Sequence, residues 1–218
     1  MTSTFAGHLT CSPEQLTEAL AKARVLAILR GDDPAHLVAA AGVLAKAGVS
    51  VIEVSLTSAD ALDVIAEIRD AQPGLVLGAG TVLSAARAKD AVAAGAGFLV
   101  SPTVSAGAIA AADALGVGIL AGAFTPTEID AAWLAGATAV KVFPASAAGG
   151  PAYLAALRGP FPDIPLVAVG GVGIADVPAY LAAGVLAVGI GAPLVGTDLD
   201  GLADRAAAAV SGAANGAG

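Results

Sequence analysis

Cysteine, histidine and aromatic residues are scarce in this chain of 218 residues. Cys11 is the only cysteine, so no intrachain disulfide can form, and a reducing compartment, by default the cytoplasm, is the expected location. The two histidines, His8 and His36, stand in the N-terminal segment and in a predicted helix, so no histidine cluster is available to hold a catalytic metal. Aromatic residues make up 4% of the chain, so alanine, valine and leucine must build the interior. We therefore expect one alanine-rich domain without a metal or other cofactor.

Charge is also sparse, and its balance is acidic. Charged residues make up 13% of the chain, and the formal net charge is −8. A phosphate backbone would be repelled over most of such a surface, so nucleic acid is not an expected partner. The first nine residues have neither a basic region nor a long apolar run, and no secretory signal is visible in them.

A membrane-spanning segment is not predicted, although the mean hydropathy is +0.83. Residues 91–112 and 177–197 carry no charge, but proline and several glycines interrupt both stretches, and serine or threonine is interspersed. Such stretches are poor candidates for a lipid-facing helix of about 20 residues. They are better explained as buried strands alternating with helices.

Short apolar runs rich in β-forming residues recur every 20 to 26 residues or so. Alanine-rich segments that end at glycine lie between them, as expected for helices, and an Ala-Gly step precedes four of the runs. This alternation predicts a (β/α)8 TIM barrel, with a doubly wound open sheet as the alternative. The eight predicted strands are Val25-Leu29, Ser50-Leu56, Leu75-Gly80, Phe98-Ser101, Gly118-Ala121, Ala139-Phe143, Pro165-Val169 and Ala187-Ile190.

One domain with short flexible ends is predicted. The run Ser12-Pro13-Glu14-Gln15 has the pattern of a helix capping box, and it predicts an extra N-terminal helix before the barrel. We assign residues 1–11 to a flexible N-terminus, 12–211 to the barrel, and the glycine-rich residues 212–218 to a frayed tail.

Lys141 stands inside the apolar run 139–144, where a cation is not expected. A buried ammonium group costs several kcal/mol, so burial favours the neutral amine, which is a nucleophile. Schiff-base chemistry is therefore the first hypothesis for this lysine. The alternative is an edge-strand lysine that points to water.

Glu53 is placed by alternation on the same face of its strand as Val51 and Ser55, while Lys141 shares a face with Ala139 and Phe143. If both faces point into the barrel, a carboxyl group and an amine share one cavity. The carboxyl group could then transfer the protons that an amine needs in order to condense with a ketone. A buried ion pair that only stabilises the barrel is the alternative.

Further candidates lie at the carboxyl ends of the strands, where barrels carry their active sites. Arg30 ends the first strand, and the third runs into Gly80-Thr81. Glycine-rich turns follow the seventh and eighth strands, a common location for a phosphate held by backbone N–H groups. Their residues are Val169, Gly170, Gly171, Gly189, Gly191 and Ala192.

Taken in order, these motifs resemble the 2-keto-3-deoxy-6-phosphogluconate aldolase family over about residues 12–210. The resemblance implies a class I aldolase, a homotrimer of (β/α)8 barrels, that acts on a phosphorylated keto acid. It also implies that Lys141 forms the Schiff base and Glu53 shuttles protons. The segments that carry it are Ile28-Leu29-Arg30-Gly31, Ile52-Glu53-Val54, Gly78-Ala79-Gly80-Thr81-Val82, Val100-Ser101-Pro102, Lys141-Val142-Phe143-Pro144-Ala145, Gly159-Pro160-Phe161 and Val169-Gly170-Gly171.

The resemblance further implies that Gly80 and Thr81 bind the pyruvyl carboxylate and that the late glycines hold the phosphate. Many gluconate enzymes read L-R-T where this chain has Leu56-Thr57-Ser58, so Arg30 is expected to supply the positive charge instead. Val169 before the glycine pair resembles the 6-phosphogalactonate branch and lacks a hydroxyl group for the substrate. Ala192 replaces a serine that is common in the last phosphate turn.

Three functions are therefore weighed. The first is cleavage of a 2-keto-3-deoxy-6-phospho sugar acid to pyruvate and glyceraldehyde 3-phosphate. The second keeps the Schiff base but acts on 4-hydroxy-2-oxoglutarate or an unphosphorylated 2-keto acid. The third is a non-catalytic oligomeric scaffold, which the three charged residues Arg30, Glu53 and Lys141 disfavour, because buried charges bring no advantage to a scaffold.

Overall fold

A computed structural model describes residues 10–216. Eight parallel strands close into a barrel in the order in which they occur along the chain. This closure confirms the (β/α)8 barrel and rules out the doubly wound open sheet. The strands are β1 (Val25–Leu29), β2 (Val51–Ser55), β3 (Val76–Gly80), β4 (Phe98–Val100), β5 (Gly118–Ala123), β6 (Ala139–Val142), β7 (Leu166–Val169) and β8 (Ala187–Ile190).

Helices follow the strands and cover the outside of the barrel. Several begin at a serine, threonine or aspartate whose side chain accepts a hydrogen bond from the backbone N–H three residues later, as for Ser84 and Ser105. The helices are α1 (Pro13–Ala23), α2 (Pro34–Lys46), α3 (Ala61–Ala71), α4 (Ala85–Ala94), α5 (Ala106–Leu115), α6 (Pro126–Leu134), α7 (Gly150–Leu157), α8 (Val177–Ala182), α9 (Ala192–Val195) and α10 (Leu202–Asn215).

Two apolar clusters share the strands, as the alternation of side chains requires. One cluster packs the outward faces of the strands against the helices. The other fills the barrel interior and includes Leu26, Val51, Phe98 and Ala139. Because neighbouring residues of one strand point into different clusters, each strand is buried on both sides, which explains its nearly continuous apolar sequence.

Helix α1 closes the end of the barrel where the strands begin. Leu16 and Leu20 are fully buried in the interior cluster. A Cβ atom at Gly118, the first residue of β5, would lie 2.6 Å from Leu16 Cδ2, so the glycine makes room for this plug. The predicted capping box of Ser12 and Gln15 is present at the start of α1. The extra N-terminal helix is thereby confirmed.

The predicted chain ends need a correction. Helix α10 continues to Asn215, so the frayed tail expected from Gly212 is wrong for residues 212–215. Gly212 lies against Val177 and Pro178, where its lack of a side chain allows close packing. Residue 11 is held by backbone hydrogen bonds to Gly97 and Gly118. Residues 1–9 of the predicted flexible N-terminus and the last two residues of the predicted tail lie outside the described residues.

Within residues 10–216, no helix combines the length and the apolar character needed to cross a membrane.

Candidate active site

Lys141 lies on β6 with its side chain inside the barrel. Its neighbours Val140 and Val142 pack outward against the helices, whereas Ala139 belongs to the interior cluster. The register places Lys141 beside Gly122 of β5 and Val167 of β7. Only 6% of the residue is exposed, so the alternative of an edge-strand lysine pointing to water is wrong.

Glu53 lies on β2 and is 2% exposed. A Cβ atom at Gly80 would lie 2.7 Å from Glu53 Oε1, so the glycine at the end of β3 leaves the space that the carboxyl group occupies. Glu53 Oε2 is buried and has no hydrogen-bond partner among residues 10–216. A buried carboxylate oxygen without a partner costs free energy, so protonation of Glu53 or a hydrogen bond from a ligand would stabilise it.

Burial raises the pKa of Glu53, and the positive charges of Lys141 and Arg30 act in the opposite direction. The carboxyl group and both cations therefore share one electrostatic environment. Within the described part of the chain, no ion pair joins Glu53 to Lys141. A carboxyl group whose pKa is raised, and so lies closer to neutral pH, can both donate and accept protons.

Phe143 directly follows β6, and 37% of it is exposed. The centroid of its ring lies 5.1 Å from Lys141 Nζ. A Cβ atom at Gly170 would lie 2.9 Å from the same ring, so Phe143 sits between the amine and the turn after β7. The alternation of β6 had placed Phe143 on the face of Lys141, but no site role was predicted for it.

Thr81 follows β3 in an uncommon left-handed backbone conformation, with φ of 60°. Its Oγ1 lies 2.8 Å from Ser55 Oγ, and Ser55 Oγ lies 2.8 Å from Thr57 Oγ1. These three hydroxyl groups connect the ends of β2 and β3. Sequence reasoning missed Ser55 and Thr57 as site residues, although the alternation that selected Glu53 also placed Ser55 on the inward face.

The turn after β7 combines Gly170 and Gly171, with φ of 92° and 72°. Their backbone N–H groups donate no hydrogen bond to any residue in the range 10–216. Ser146 covers this turn, because its N–H donates to Gly170 O at 3.1 Å and a Cβ atom at Gly171 would overlap its hydroxyl group. Sequence reasoning gave no role to Ser146.

Val169 and Gly189 are paired between β7 and β8. A Cβ atom at Gly189 would lie 2.8 Å from Val169 Cγ2, so this glycine accommodates the valine inside the barrel. Gly191 follows β8 and precedes Ala192, the first residue of α9. The two glycine-rich turns thus follow adjacent strands at the carboxyl end of the barrel.

The predicted site residues therefore lie at the same end of one barrel. Lys141 and Glu53 face the interior, and Arg30, Thr81 and the glycine-rich turns lie at or just beyond the strand ends. Arg30 is exposed. No group of three or more histidine, cysteine, aspartate or glutamate side chains within residues 10–216 has an arrangement that could hold a metal ion.

Comparisons with known proteins agree with this arrangement. A probable 2-dehydro-3-deoxy-6-phosphogalactonate aldolase from Rhizobium meliloti is 38% identical, over 78% of this chain and 81% of the relative. A native KDPGal structure is 34% identical with a TM-score of 0.83, covering 88% of this chain and 95% of that one. KDPG aldolase from Legionella pneumophila, with pyruvate captured as a covalent carbinolamine, is 26% identical with a TM-score of 0.79, covering 90% and 95%.

The family model described as KDPG and KHG aldolase matches residues 16–208, which include the whole barrel and every predicted site residue. This chain belongs to the KDPG and KHG aldolase family.

Proposed function

We propose that this protein is a class I aldolase that cleaves a 2-keto-3-deoxy-6-phospho sugar acid to pyruvate and glyceraldehyde 3-phosphate. The observation that carries the proposal is a buried lysine that shares the barrel interior with a buried glutamate. The carbinolamine captured in the Legionella pneumophila relative supports covalent chemistry at an amine. A barrel that served only as a scaffold would gain nothing from burying both charges.

In the proposed reaction, Lys141 Nζ adds to carbon 2 of the substrate, and loss of the ketone oxygen as water leaves an iminium. Removal of the proton from the carbon-4 hydroxyl group allows the bond between carbons 3 and 4 to break. Its electron pair moves to the iminium nitrogen, so the aldehyde leaves and an enamine remains. The enamine takes a proton at carbon 3 and is hydrolysed to pyruvate and the free lysine.

Glu53 relays the protons in this sequence, directly or through water. Carbinolamine formation, dehydration and enamine protonation each move a proton close to Lys141. Glu53 is suited to the task because burial raises its pKa while Lys141 and Arg30 favour its ionised form. Its unpartnered Oε2 leaves one oxygen available to a substrate or a water molecule.

Arg30, Thr81 and the Gly80 turn bind the carboxylate of the substrate in this proposal. Arg30 supplies the positive charge for the carboxylate. Its charge also lowers the pKa of Glu53, which supports a position close to that residue. Thr81 supplies a hydroxyl donor from the end of β3, which β2 separates from the end of β1 where Arg30 lies. Gly80 leaves the space in which the carboxyl group of Glu53 stands beside the bound acid.

Backbone N–H groups of the two late turns bind the phosphate. The unpartnered amides of Gly170 and Gly171 support this role. Gly191 and Ala192 form the turn after the adjacent strand, whereas Gly189 lies inside β8 and makes room for Val169. Val169 contacts the sugar chain without offering a hydroxyl group. An apolar side chain at this position favours a galactonate-type substrate, and the 38% identity to a probable 2-dehydro-3-deoxy-6-phosphogalactonate aldolase supports that preference.

Borohydride reduction in the presence of pyruvate tests the mechanism. We expect a stable adduct on Lys141 that mass spectrometry of a digest locates. Lys141→Met should abolish the adduct and lower kcat for cleavage by at least about 10³-fold, because Lys141 is the only buried lysine within residues 10–216. Lys89→Met, which removes an exposed lysine of α4, serves as the matched control and should behave as wild type. An adduct on another lysine, or cleavage that survives Lys141→Met, would overturn the mechanism.

The second candidate reaction keeps the Schiff base but acts on 4-hydroxy-2-oxoglutarate or an unphosphorylated keto acid. Ala192 favours it, because a hydroxyl donor is missing from the last turn. Comparing kcat/KM for gluconate-type and galactonate-type substrates, each with and without the 6-phosphate, separates the two. A rate that is insensitive to the phosphate would favour the second reaction.

We further propose that the protein is a homotrimer. Exposed apolar side chains near the strand ends, including Leu83 and Phe124, support self-association. Light scattering should give about three times the chain mass of 20.7 kDa.

A further inference from the structure

Three hydroxyl groups at the ends of β2 and β3 form a hydrogen-bonded chain that leads to the proposed carboxylate site. Ser55 is its central member, 2.8 Å from both Thr57 Oγ1 and Thr81 Oγ1. Ser55 is fully buried, Thr57 is exposed, and Thr81 is partly buried. This chain of hydroxyl groups therefore runs from the surface, through a position closed to water, to the partly buried hydroxyl group of Thr81 after β3.

The backbone fixes these groups against one another. Ser55 pairs with Gly80 in the register of β2 and β3, and Leu56 N–H donates to Gly80 O at 2.8 Å. The next residue, Thr81, turns back in the left-handed conformation, which brings its side chain over Ser55. A β-branched residue in this conformation is strained, and such strain persists only where surrounding contacts hold it.

The number of protons limits which hydrogen bonds the three hydroxyl groups can make at the same time. Each hydroxyl group has one proton to donate and two lone pairs to accept. Ser55 can donate to only one of its two hydroxyl neighbours and must accept from the other if both bonds are made. When Ser55 donates to Thr81, the proton of Thr81 is left for a ligand. When Ser55 donates to Thr57, Thr81 donates its own proton to Ser55 and has none left for a ligand.

We propose that Ser55 is a positioning residue that makes Thr81 a hydrogen-bond donor to the substrate carboxylate. This inference rests on the proposed function. A carboxylate only accepts, so its binding at Thr81 selects the order Thr57 to Ser55 to Thr81 to carboxylate. Each donated bond polarises the next hydroxyl group, which strengthens the last bond in a site shielded from water. Without Ser55, the Thr81 hydroxyl group rotates freely and loses this bias.

The test measures pyruvate binding through the concentration dependence of borohydride trapping on Lys141. Ser55→Ala should raise the half-saturating pyruvate concentration about tenfold, the scale of one hydrogen bond to a charged group. The limiting trapping rate at saturating pyruvate should change less than about twofold, because Lys141 and Glu53 are untouched. Ser55→Thr keeps the hydroxyl group and should recover most of the affinity.

A double-mutant cycle distinguishes positioning from a general structural effect. Thr81→Val removes the terminal hydroxyl group while keeping the shape of the side chain. In that background, Ser55→Ala should add less than about twofold to the half-saturating concentration. Ser101→Ala is the matched control, because Ser101, like Ser55, is a fully buried serine at the carboxyl end of a strand, and it has no bond to this chain of hydroxyl groups. It should leave pyruvate binding unchanged.

Three results would overturn the inference: an equal effect of Ser55→Ala in both backgrounds, a loss confined to the limiting rate, or no change in pyruvate affinity. If Ser55→Ala does not fold, Thr57→Val at the exposed end decides, with an expected increase of two- to threefold. Pyruvate trapping does not depend on phosphate, so the inference can stand if the predicted phosphorylated substrate is wrong. A wild-type protein that traps no pyruvate would overturn both proposals.

Discussion

Glu53 is the residue whose ionisation links the stability of the barrel to its chemistry. Burial raises its pKa, so the ionised form is less favourable in the folded chain than in the unfolded chain. Relative to the fully ionised group, protonated Glu53 therefore adds to the free energy of unfolding, and this contribution is fully present below the unfolded pKa. It is lost as the pH rises through the higher folded pKa. Wild-type stability should therefore fall as the pH rises above the unfolded pKa of Glu53, until the carboxyl group is ionised in both states.

Glu53→Gln removes this titration. We expect the free energy of unfolding of the variant, relative to wild type, to increase from pH 4 to pH 8, measured by urea denaturation at several pH values. The same change should lower kcat for cleavage by about 10²- to 10⁴-fold, because the proton relay is lost. Glu67→Gln on the exposed face of α3 is the control and should change neither quantity. A stability difference that is constant with pH would show that Glu53 is not buried with a raised pKa.

At the scale of an element, α1 acts as the closure of the barrel. Leu20→Ala should lower the free energy of unfolding by about 2–5 kcal/mol, because it opens a cavity in the interior cluster. Glu18→Ala on the exposed side of the same helix should change it by less than about 0.5 kcal/mol. Chemical denaturation of the three proteins measures both values. Similar losses for the two variants would mean that α1 contributes through its helix rather than through the plug.

The elements also show what the sequence alone could predict. Strands β1 and β8 were predicted to the residue, because each is a short apolar run bounded by clear turn signals. The last four residues of α10 were predicted as a frayed tail because Gly212 was taken as a sign of flexibility, whereas it provides close packing against Val177 and Pro178. Alternation assigned Lys141 and Glu53 to one face of their strands, but only the closed barrel shows that both of these faces point inward. The contact between Ser55 and Thr81 could not be predicted, since it depends on the left-handed backbone of Thr81.

At the scale of the whole molecule, three neighbouring loops at the carboxyl end present a candidate subunit interface. Ser105 Oγ, after β4, donates to Leu83 O, after β3, at 3.3 Å. A Cβ atom at Gly122 of β5 would overlap the backbone of Pro102, so the loop after β4 also packs against β5. Leu83 is 52% exposed and Phe124, directly after β5, is 40% exposed. The loops after β3 and β5 thus each carry one large apolar side chain outward, and the loop after β4 packs against both neighbours.

Burial of Leu83 between subunits would explain this exposure, so Leu83→Lys should weaken the proposed trimer. We expect its dissociation constant to rise at least about tenfold, since a lysine would place an unpaired charge in an apolar contact. Light scattering over a dilution series measures the change, and circular dichroism checks that the barrel remains folded. Leu134→Lys is the matched control, because Leu134 is even more exposed but lies at the end of α6, away from these loops. If Leu134→Lys dissociates the protein and Leu83→Lys does not, the interface lies on the helical wall instead. A wild-type protein that is monomeric at every concentration would contradict the trimer itself.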